Sequence, residues 1–278
     1  MRLTRQPVVP TISATQTRRK TMSNFFSFPA NLKTSAPLFG AWCTAPEPQI
    51  ADALAREAQY AIVCVDLQHG GFDFPAAAAA IQLITLAGKT AGVRIPVGEF
   101  TMASRALDAG AGLIIAPMIN TAADAKALAQ FVKYAPQGSR SWGPATAVKL
   151  SGLSPADYLA GANKGTCTFA MIETRDAIGN IDEILAVKGI DGIFLGPADL
   201  SITLSGGRLE PQSAEVNAAV RHSLERTRAA GKIAAIFAPT GERAREFVQM
   251  GYDLVSIGSD LAMLKIGAQQ MHAAATAK

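Results

Sequence analysis

Two acidic side chains follow apolar runs in the second half of the sequence. Glu173 comes directly after the run over residues 166–172, and Asp199 lies four residues beyond the run over residues 192–195. Carboxylate oxygens suit a hard divalent cation, Mg²⁺ or Mn²⁺, which one or two carboxylates hold while water and substrate fill the remaining positions. The alternative is a surface salt bridge, for instance between Glu173 and Arg175. The residue types alone leave both interpretations open.

His69 is one of three histidines in the chain and stands directly before a double glycine, with Asp66 three positions earlier. An imidazole titrates near neutral pH, so His69 is a candidate general base. The alternative is a loop histidine bonded to neighbouring backbone. His222 and His272 fall within predicted helices and are expected at the surface.

Arg94 lies in an apolar stretch, where an unpaired guanidinium is costly to bury. It therefore requires an anion, either Glu99 or Asp108 within the protein or a substrate carboxylate held by two parallel hydrogen bonds. Asp108 stands near the end of a predicted helix, an unfavourable place for a carboxylate. A specific partner, such as a histidine that it orients, is expected for Asp108 as well.

The elements that must position these residues alternate along the chain. Near-continuous apolar runs are typical of strands that are covered on both faces and that each return through a helix. Eight such units predict an α/β fold, a (β/α)8 TIM barrel, and no GxGxxG follows the first strand to favour an open dinucleotide-binding sheet. The predicted strands are Leu38–Cys43, Ala61–Asp66, Val93–Val97, Leu113–Met118, Thr166–Ile172, Gly192–Leu195, Ile233–Phe237 and Leu254–Ile257. The predicted helices are Ile50–Gln59, Pro75–Ala87, Ala103–Asp108, Ala122–Val132, Ala177–Ala186, Ala214–Ala230, Glu242–Gln249 and Leu261–Ala275.

Polar side chains cluster at the carboxyl ends of these strands. Barrel enzymes carry their active sites at that mouth. Four of the eight predicted strands contribute a candidate there, namely Asp66 with His69, Arg94, Glu173 and Asp199.

Charge and apolar patterning exclude two classes of protein. The formal charge is +4, but residues 1–21 hold five basic side chains and no acid, so residues 22–278 carry 21 basic and 22 acidic groups. A body without excess positive charge does not favour nucleic-acid binding. No run approaches the roughly 20 apolar residues of a membrane span. Cys43, Cys64 and Cys167 have no CxxC spacing and predict buried thiols in a reducing, cytoplasmic compartment.

The sequence predicts one folded domain over residues 29–278, preceded by a flexible extension over residues 1–28. A disordered extension, or a start at Met22, is favoured over a targeting signal because no apolar signal core follows the basic residues. The long connection over residues 134–165 is predicted to form a lid or a rim segment.

The candidate residues, taken together, resemble the HpcH/HpaI aldolase (aldolase/citrate lyase) family of metal-dependent, class II pyruvate aldolases. The resemblance covers roughly residues 36–265. It is carried by Asp66-x-x-His69, Val93-Arg94, Leu107-Asp108-Ala109-Gly110, Ile172-Glu173-Thr174-Arg175 and Gly192-Ile193-Phe194-Leu195-Gly196-Pro197-Ala198-Asp199-Leu200-Ser201.

The resemblance implies a role for each matching position. It makes Glu173 and Asp199 the ligands of a divalent metal, Mg²⁺ or Mn²⁺ with Co²⁺ as a further option, and Arg94 the residue that binds pyruvate. It makes His69 and Asp108 a base dyad, with Asp108 supplied by a neighbouring subunit, and Asp66 a partner of metal-bound water. The backbone amides of Ala198 and Asp199 are expected to hold the substrate carboxylate.

The implied reaction is the retro-aldol cleavage of a 4-hydroxy-2-oxo acid to pyruvate and an aldehyde. The alternatives are a CoA-ester lyase of the citramalyl or malyl type and a non-catalytic barrel that binds small acids. Gln68 and Met171 depart from the family pattern at positions expected to touch the mouth, which leaves the aldehyde unspecified. The resemblance also implies a hexamer, built as a trimer of dimers that exchange the C-terminal helix, for which Leu261, Leu264 and Ile266 supply apolar contacts.

Overall fold

Eight parallel strands close into a barrel at the centre of the computed structural model, which describes residues 25–34 and 37–277. Each strand pairs with its neighbours in chain order, and β8 pairs with β1. The predicted TIM barrel is therefore confirmed. The strands are β1 (Leu38–Cys43), β2 (Ile62–Asp66), β3 (Thr90–Arg94), β4 (Leu113–Ala116), β5 (Cys167–Ile172), β6 (Gly192–Leu195), β7 (Ile233–Ala238) and β8 (Leu254–Ile257).

Helices return the chain between successive strands and cover the outside of the barrel. Several begin at residues whose side chains accept from the first turn of the helix, as at Thr121 and Ser213. The helices are α1 (Phe28–Thr34), α2 (Pro48–Arg56), α3 (Phe74–Leu86), α4 (Phe100–Ala109), α5 (Ala122–Val132), α6 (Ala145–Ser151), α7 (Pro155–Gly165), α8 (Arg175–Gly179), α9 (Ile181–Leu185), α10 (Pro197–Ser205), α11 (Ala214–Ala229), α12 (Gly241–Met250) and α13 (Asp260–Thr276).

Strand β3 lies three residues earlier than predicted. It spans Thr90–Arg94 instead of Val93–Val97, because Pro96 has no N–H to donate to a sheet and the register with β2 begins at Thr90. The shift makes Arg94 the last residue of its strand. The same register places Arg94 directly beside Asp66, which ends β2.

Two other predictions need correction. The predicted helix over 177–186 is divided into α8 and α9 at Asn180, whose backbone is not helical. The long connection over 134–165 contains α6 and α7 and packs beside α4, leading to the amino end of β5. It therefore does not form a lid over the carboxyl mouth.

The two main clusters of the core lie inside the barrel and between the strands and the helices, and a third surrounds Tyr158. Helix α1 closes the amino end of the barrel, because Phe28 and Leu32 are buried against the first residues of several strands. The chain therefore already packs against the barrel at Phe28, the residue at which the flexible extension was predicted to end. Of the predicted extension, Phe25 and Phe26 pack against Tyr158, and residues 1–24 lie outside the described residues.

All three cysteines are buried, as predicted. Burial raises the pKa of the Cys43 thiol to about 12. None of the helices between residues 25 and 277 combines the length and the apolar character that a membrane span requires.

Candidate active site

The ends of β2 and β3 carry a buried ion pair at the carboxyl mouth. Arg94 Nε donates to Asp66 Oδ1 at 2.9 Å, and Nη2 donates to Oδ2. Both residues are at least nine-tenths buried. The anion beside Arg94 within the protein is therefore Asp66, and the expected alternatives Glu99 and Asp108 are wrong. Nη1 takes no part in this pair, which leaves one edge of the guanidinium for a further acceptor.

Trp42 in β1 braces the ion pair, a role that the sequence analysis missed. Its indole N–H donates to Asp66 Oδ2 at 3.1 Å, and the Arg94 guanidinium carbon lies 5.0 Å from the centre of its ring. Its ring also packs against Phe194 and Phe237, with centroids 5.4 and 5.7 Å away. The signal that could have found it is its position near the carboxyl end of β1, at the same mouth.

Asp66 also organises the loop that carries His69. The backbone N–H groups of Gln68 and His69 both donate to Asp66 Oδ1, at 3.0 and 3.2 Å. A Cβ at Gly70 would lie 2.3 Å from the Asp66 carbonyl oxygen, so the tight turn requires glycine there. Burial opposes the charge of Asp66, but Arg94, Trp42 and the His69 N–H together lower its pKa. Asp66 thus holds His69 at the mouth, where its side chain is exposed.

Glu173 follows β5 and is buried, with 2% of its surface exposed. Its Oε1 accepts from the backbone N–H of Met118 at 2.8 Å. Met118 adopts a left-handed backbone, with φ of 55°, which is strained for a side chain of its kind and aims this N–H at Glu173. A Cβ at Gly196 would lie 2.7 Å from the other oxygen, Oε2, so the absence of a side chain there leaves space for Glu173.

The pKa of Glu173 is raised to about 7. Burial is the main cause, and the charge of Asp199 adds to it, while the Met118 N–H and the charge of Arg94 act in the opposite direction. These influences show that Asp199 and Arg94 lie within electrostatic range of Glu173. Arg175 instead bonds the Leu204 carbonyl and Glu215, so the surface salt bridge with Glu173 is wrong.

Asp199 lies in the first turn of α10 and is exposed at the mouth. The helix begins at Pro197, which fits the first position because its missing N–H would have no partner there. The N–H groups of Ala198 and Asp199 have no acceptor within the helix, since the first turn of any helix leaves them unpaired. A helix start with free N–H groups favours an anion, such as a carboxylate.

The donor set fits one divalent cation. No donor in the described part of the chain contacts Oε2 of Glu173, and a second carboxylate, Asp199, lies nearby. Among the described residues no group of three or more His, Cys, Asp or Glu side chains could hold a metal. A site with two protein carboxylates is the arrangement in which water and substrate complete the shell around Mg²⁺.

Asp108 lies at the other end of the barrel. It occupies the last turn of α4, which returns the chain to the amino end of β4, and its Oδ1 accepts from Arg140 Nη2 at 2.5 Å. Its carboxylate remains 28% exposed. His69 follows the carboxyl end of β2, so the structure does not bring Asp108 and His69 of one chain together. His222 and His272 lie on helices and are exposed, as predicted.

A second residue that the sequence analysis missed is Asp260, at the start of α13. It is buried and accepts from the backbone N–H groups of Thr44 and Ala45 and from the Thr44 hydroxyl, at 2.7–3.0 Å. These bonds fix the loop after β1 at the mouth. More than 200 residues separate Asp260 from Thr44, so no local pattern indicates the contact.

An α/β barrel that carries acidic and cationic side chains at the carboxyl ends of its strands is typical of barrel enzymes. The profile of the HpcH/HpaI aldolase/citrate lyase family matches residues 38–265, and the chain belongs to this family. A hydroxypyruvate/pyruvate aldolase from Rhizorhabdus wittichii is 43% identical over 242 residues, 87% of this chain and 95% of the relative. A 4-hydroxy-2-oxo-heptane-1,7-dioate aldolase from Klebsiella pneumoniae is 31% identical and covers 89% of this chain and 92% of its own length.

Solved structures have the same fold. An HpcH/HpaI aldolase/citrate lyase family protein from Burkholderia cenocepacia superposes with a TM-score of 0.81 at 27% identity, over 90% of this chain and 99% of its own. A citrate lyase beta subunit from Mycobacterium tuberculosis, complexed with oxaloacetate and magnesium, gives a TM-score of 0.57 at 22% identity, over 83% and 94%. The family resemblance inferred from the sequence is confirmed by the profile and the relatives.

Proposed function

We propose that the protein is a divalent-metal-dependent pyruvate aldolase that cleaves a 4-hydroxy-2-oxo acid to pyruvate and an aldehyde. At the level of a carbon–carbon lyase, this prediction agrees with the names of the two relatives described above, both of which are aldolases. The observation that carries it is the convergence of Glu173, Asp199, Arg94 and Asp66 at one mouth, linked by hydrogen bonds or by electrostatic influence.

Glu173 and Asp199 would hold the metal, Mg²⁺ or Mn²⁺ with Co²⁺ as a further option. When bound, the cation would supply an electrophile that favours negative charge on the keto oxygen of the substrate. Burial is the main cause of the raised pKa of Glu173, and a bound cation would offset the smaller contribution from the charge of Asp199.

Side chains and backbone groups of the protein would carry out the remaining steps. The free N–H groups of Ala198 and Asp199 would orient the substrate carboxylate at the start of α10. The Nη1 edge of Arg94, held in place by Asp66, would bind the keto acid and stabilise the enolate charge that develops when the C3–C4 bond breaks. His69, exposed at the mouth, would accept the C4 hydroxyl proton, directly or through a water molecule, and uptake of one proton at C3 would convert the enolate to pyruvate.

Three finer properties belong to the same proposal. The final helix leaves Leu261, Leu264 and Ile266 between 53% and 68% exposed, which supports exchange of this helix between subunits of a hexamer. The burial of Cys43 and Cys64 supports a reducing cytoplasmic setting. Asp108 would complete the base dyad only from a neighbouring subunit, because it lies at the opposite end of its own barrel from His69.

The test is an aldehyde panel incubated with pyruvate and Mg²⁺, Mn²⁺ or Co²⁺, with the aldol products detected by mass. We expect metal-dependent products from the wild type and none from Glu173→Ala or Asp199→Ala, while circular dichroism shows an unchanged fold. Glu225→Ala, on the exposed face of α11, is the matched control and should retain activity. Full activity in exhaustively chelated protein, or in either ligand variant, would reject the proposal.

A further inference from the structure

A large charged cavity lies at the amino end of the barrel, away from the candidate active site. Its volume is about 970 Å³, and it is bounded by α7, α9, α11 and the segments that lead into β5, β6 and β7. Cys167 lines it and begins β5, whereas Glu173 follows the other end of the same strand. At about 3.3 Å per residue, the two positions are about 20 Å apart.

The charged side chains around this cavity do not balance. Five are basic and two are acidic, although residues 22–278 as a whole carry slightly more acid than base. The basic group comprises Lys133, Lys164, Lys188, Arg226 and Lys232, and the acidic group comprises Asp182 and Asp191.

Two ion pairs use both acids. Lys133 Nζ donates to Asp191 Oδ2 at 2.9 Å and to two backbone carbonyls, so all three of its N–H groups are engaged. Arg226 makes two parallel hydrogen bonds to Asp182, at 2.6 and 2.7 Å. These pairs join neighbouring loops and helices. Among the residues that the structure describes, no carboxylate pairs with the other three ammonium groups of the cavity.

Lys232 is the most constrained of these three. Its Nζ donates to the carbonyl oxygens of Val187 and Ile190, at 3.2 and 2.6 Å. An ammonium has three N–H groups, so one remains for a further acceptor. Burial lowers the pKa of Lys232. The charge of Lys133 lowers it further, and the charge of Asp191 raises it by less than these two effects together. Lys164 and Lys188 are exposed on the wall of the same cavity.

We propose that this cavity binds a small multivalent anion, bearing phosphate or carboxylate groups, through Lys164, Lys188 and Lys232. Lysine ammonium groups are point charges that bind phosphate readily, and three of them favour an anion with more than one charge. Residues 1–21 of the chain are an unsuitable occupant because they contain five basic side chains and no acid. The site is independent of the proposed aldolase reaction, since it shares no residue with the mouth.

The test compares two double variants that lose the same charge. Lys164→Gln with Lys188→Gln removes two exposed ammonium groups from the cavity, and Lys149→Gln with Lys265→Gln removes two exposed ones elsewhere. Inorganic phosphate, pyrophosphate and citrate are titrated against each protein at constant ionic strength, set with NaCl. Thermal unfolding and calorimetry report binding, because a ligand of the native state raises its midpoint of unfolding.

We expect pyrophosphate or citrate to stabilise the wild type beyond NaCl, and the relative effect of the two to distinguish a phosphate from a carboxylate ligand. The apparent affinity should fall at least about tenfold in the cavity variant and remain unchanged in the control. Absence of binding to the wild type, equal loss in both double variants, or full binding in the cavity variant would each overturn the proposal. Aldolase activity should be retained in both double variants.

Discussion

The raised pKa of Glu173 predicts that this residue destabilises the metal-free protein at alkaline pH. An ordinary glutamate titrates near 4.5, whereas Glu173 in the folded protein titrates near 7. Between these values the native state binds more protons than the unfolded state, so the free energy of unfolding decreases as pH rises. A pKa difference of this size corresponds to a destabilisation of about 3 kcal/mol. This destabilisation is fully present above pH 7 and absent below pH 4.5.

Glu173→Gln removes the charge and keeps an oxygen that can accept from the Met118 N–H. The free energy of unfolding is measured by urea denaturation in EDTA at pH 5 and pH 8. We expect the variant to exceed the wild type by about 2–3 kcal/mol at pH 8 and by much less at pH 5. Glu225→Gln on the exposed face of α11 is the control and should show no such pH-dependent gain.

Mg²⁺ at pH 8 should offset most of the stability difference between the variant and the wild type. A ligand at one hundred times its dissociation constant stabilises the native state by about 2.7 kcal/mol, and the wild type alone should show this gain. The apparent affinity for Mg²⁺ should also weaken as pH falls below 7, by up to about tenfold per pH unit, because a proton competes for the same carboxylate. Equal pH dependence in wild type and Glu173→Gln, or equal stabilisation by Mg²⁺, would refute the reasoning.

Three further substitutions test the other groups at the mouth. Arg94→Lys replaces a planar fork by a point charge and should weaken inhibition by pyruvate at least about tenfold; an unchanged inhibition constant would contradict the assignment. His69→Ala should slow bond cleavage by about 10²–10⁴-fold while metal and pyruvate still bind, and lost pyruvate binding would reassign it to positioning. Trp42→Phe keeps an aromatic ring but removes the N–H bonded to Asp66, so kcat/KM should fall about tenfold. Trp142→Phe, at the chain's other and more exposed tryptophan, is the control, and an equal loss there would count against a specific role for Trp42.

The sequence predicts most of the barrel because its strands are covered on both faces. Apolar runs between turn residues mark such strands, and β1, β6 and β8 occur at the predicted bounds. Strand β3 is displaced because the run around Ile95 continues past the end of pairing, where Pro96 has no N–H for the sheet. Boundaries therefore fail where an apolar residue packs beyond its strand.

The sequence predicts where the candidate residues at the mouth lie, but it does not predict which groups they bond. Strand ends indicate that Asp66, Arg94, Glu173 and Asp199 share one face of the barrel. The pairing of Asp66 with Arg94 depends on the register between β2 and β3, which is a tertiary property. The contact of Glu173 with Met118 depends on a left-handed backbone at a residue type that rarely adopts it.

Variants of Asp108 test whether one active site contains residues from two subunits. Arg140 anchors its carboxylate at the amino end of the barrel, yet 28% of the side chain remains exposed. If Asp108 serves His69 of another subunit, co-expression of His69→Ala with Asp108→Asn creates mixed pairs. In such a pair, the subunit with intact His69 receives the intact Asp108 of its partner.

Random assembly of reciprocal pairs should then restore about a quarter of the wild-type activity, because half of the pairs are mixed and one of their two sites is complete. If Asp108 acts within its own chain, or only stabilises the fold through Arg140, no site in a mixed pair is repaired. The mixture then shows the mean activity of the two variants. That result, with mixed oligomers verified by mass, would exclude the supply of Asp108 to His69 of a neighbouring subunit.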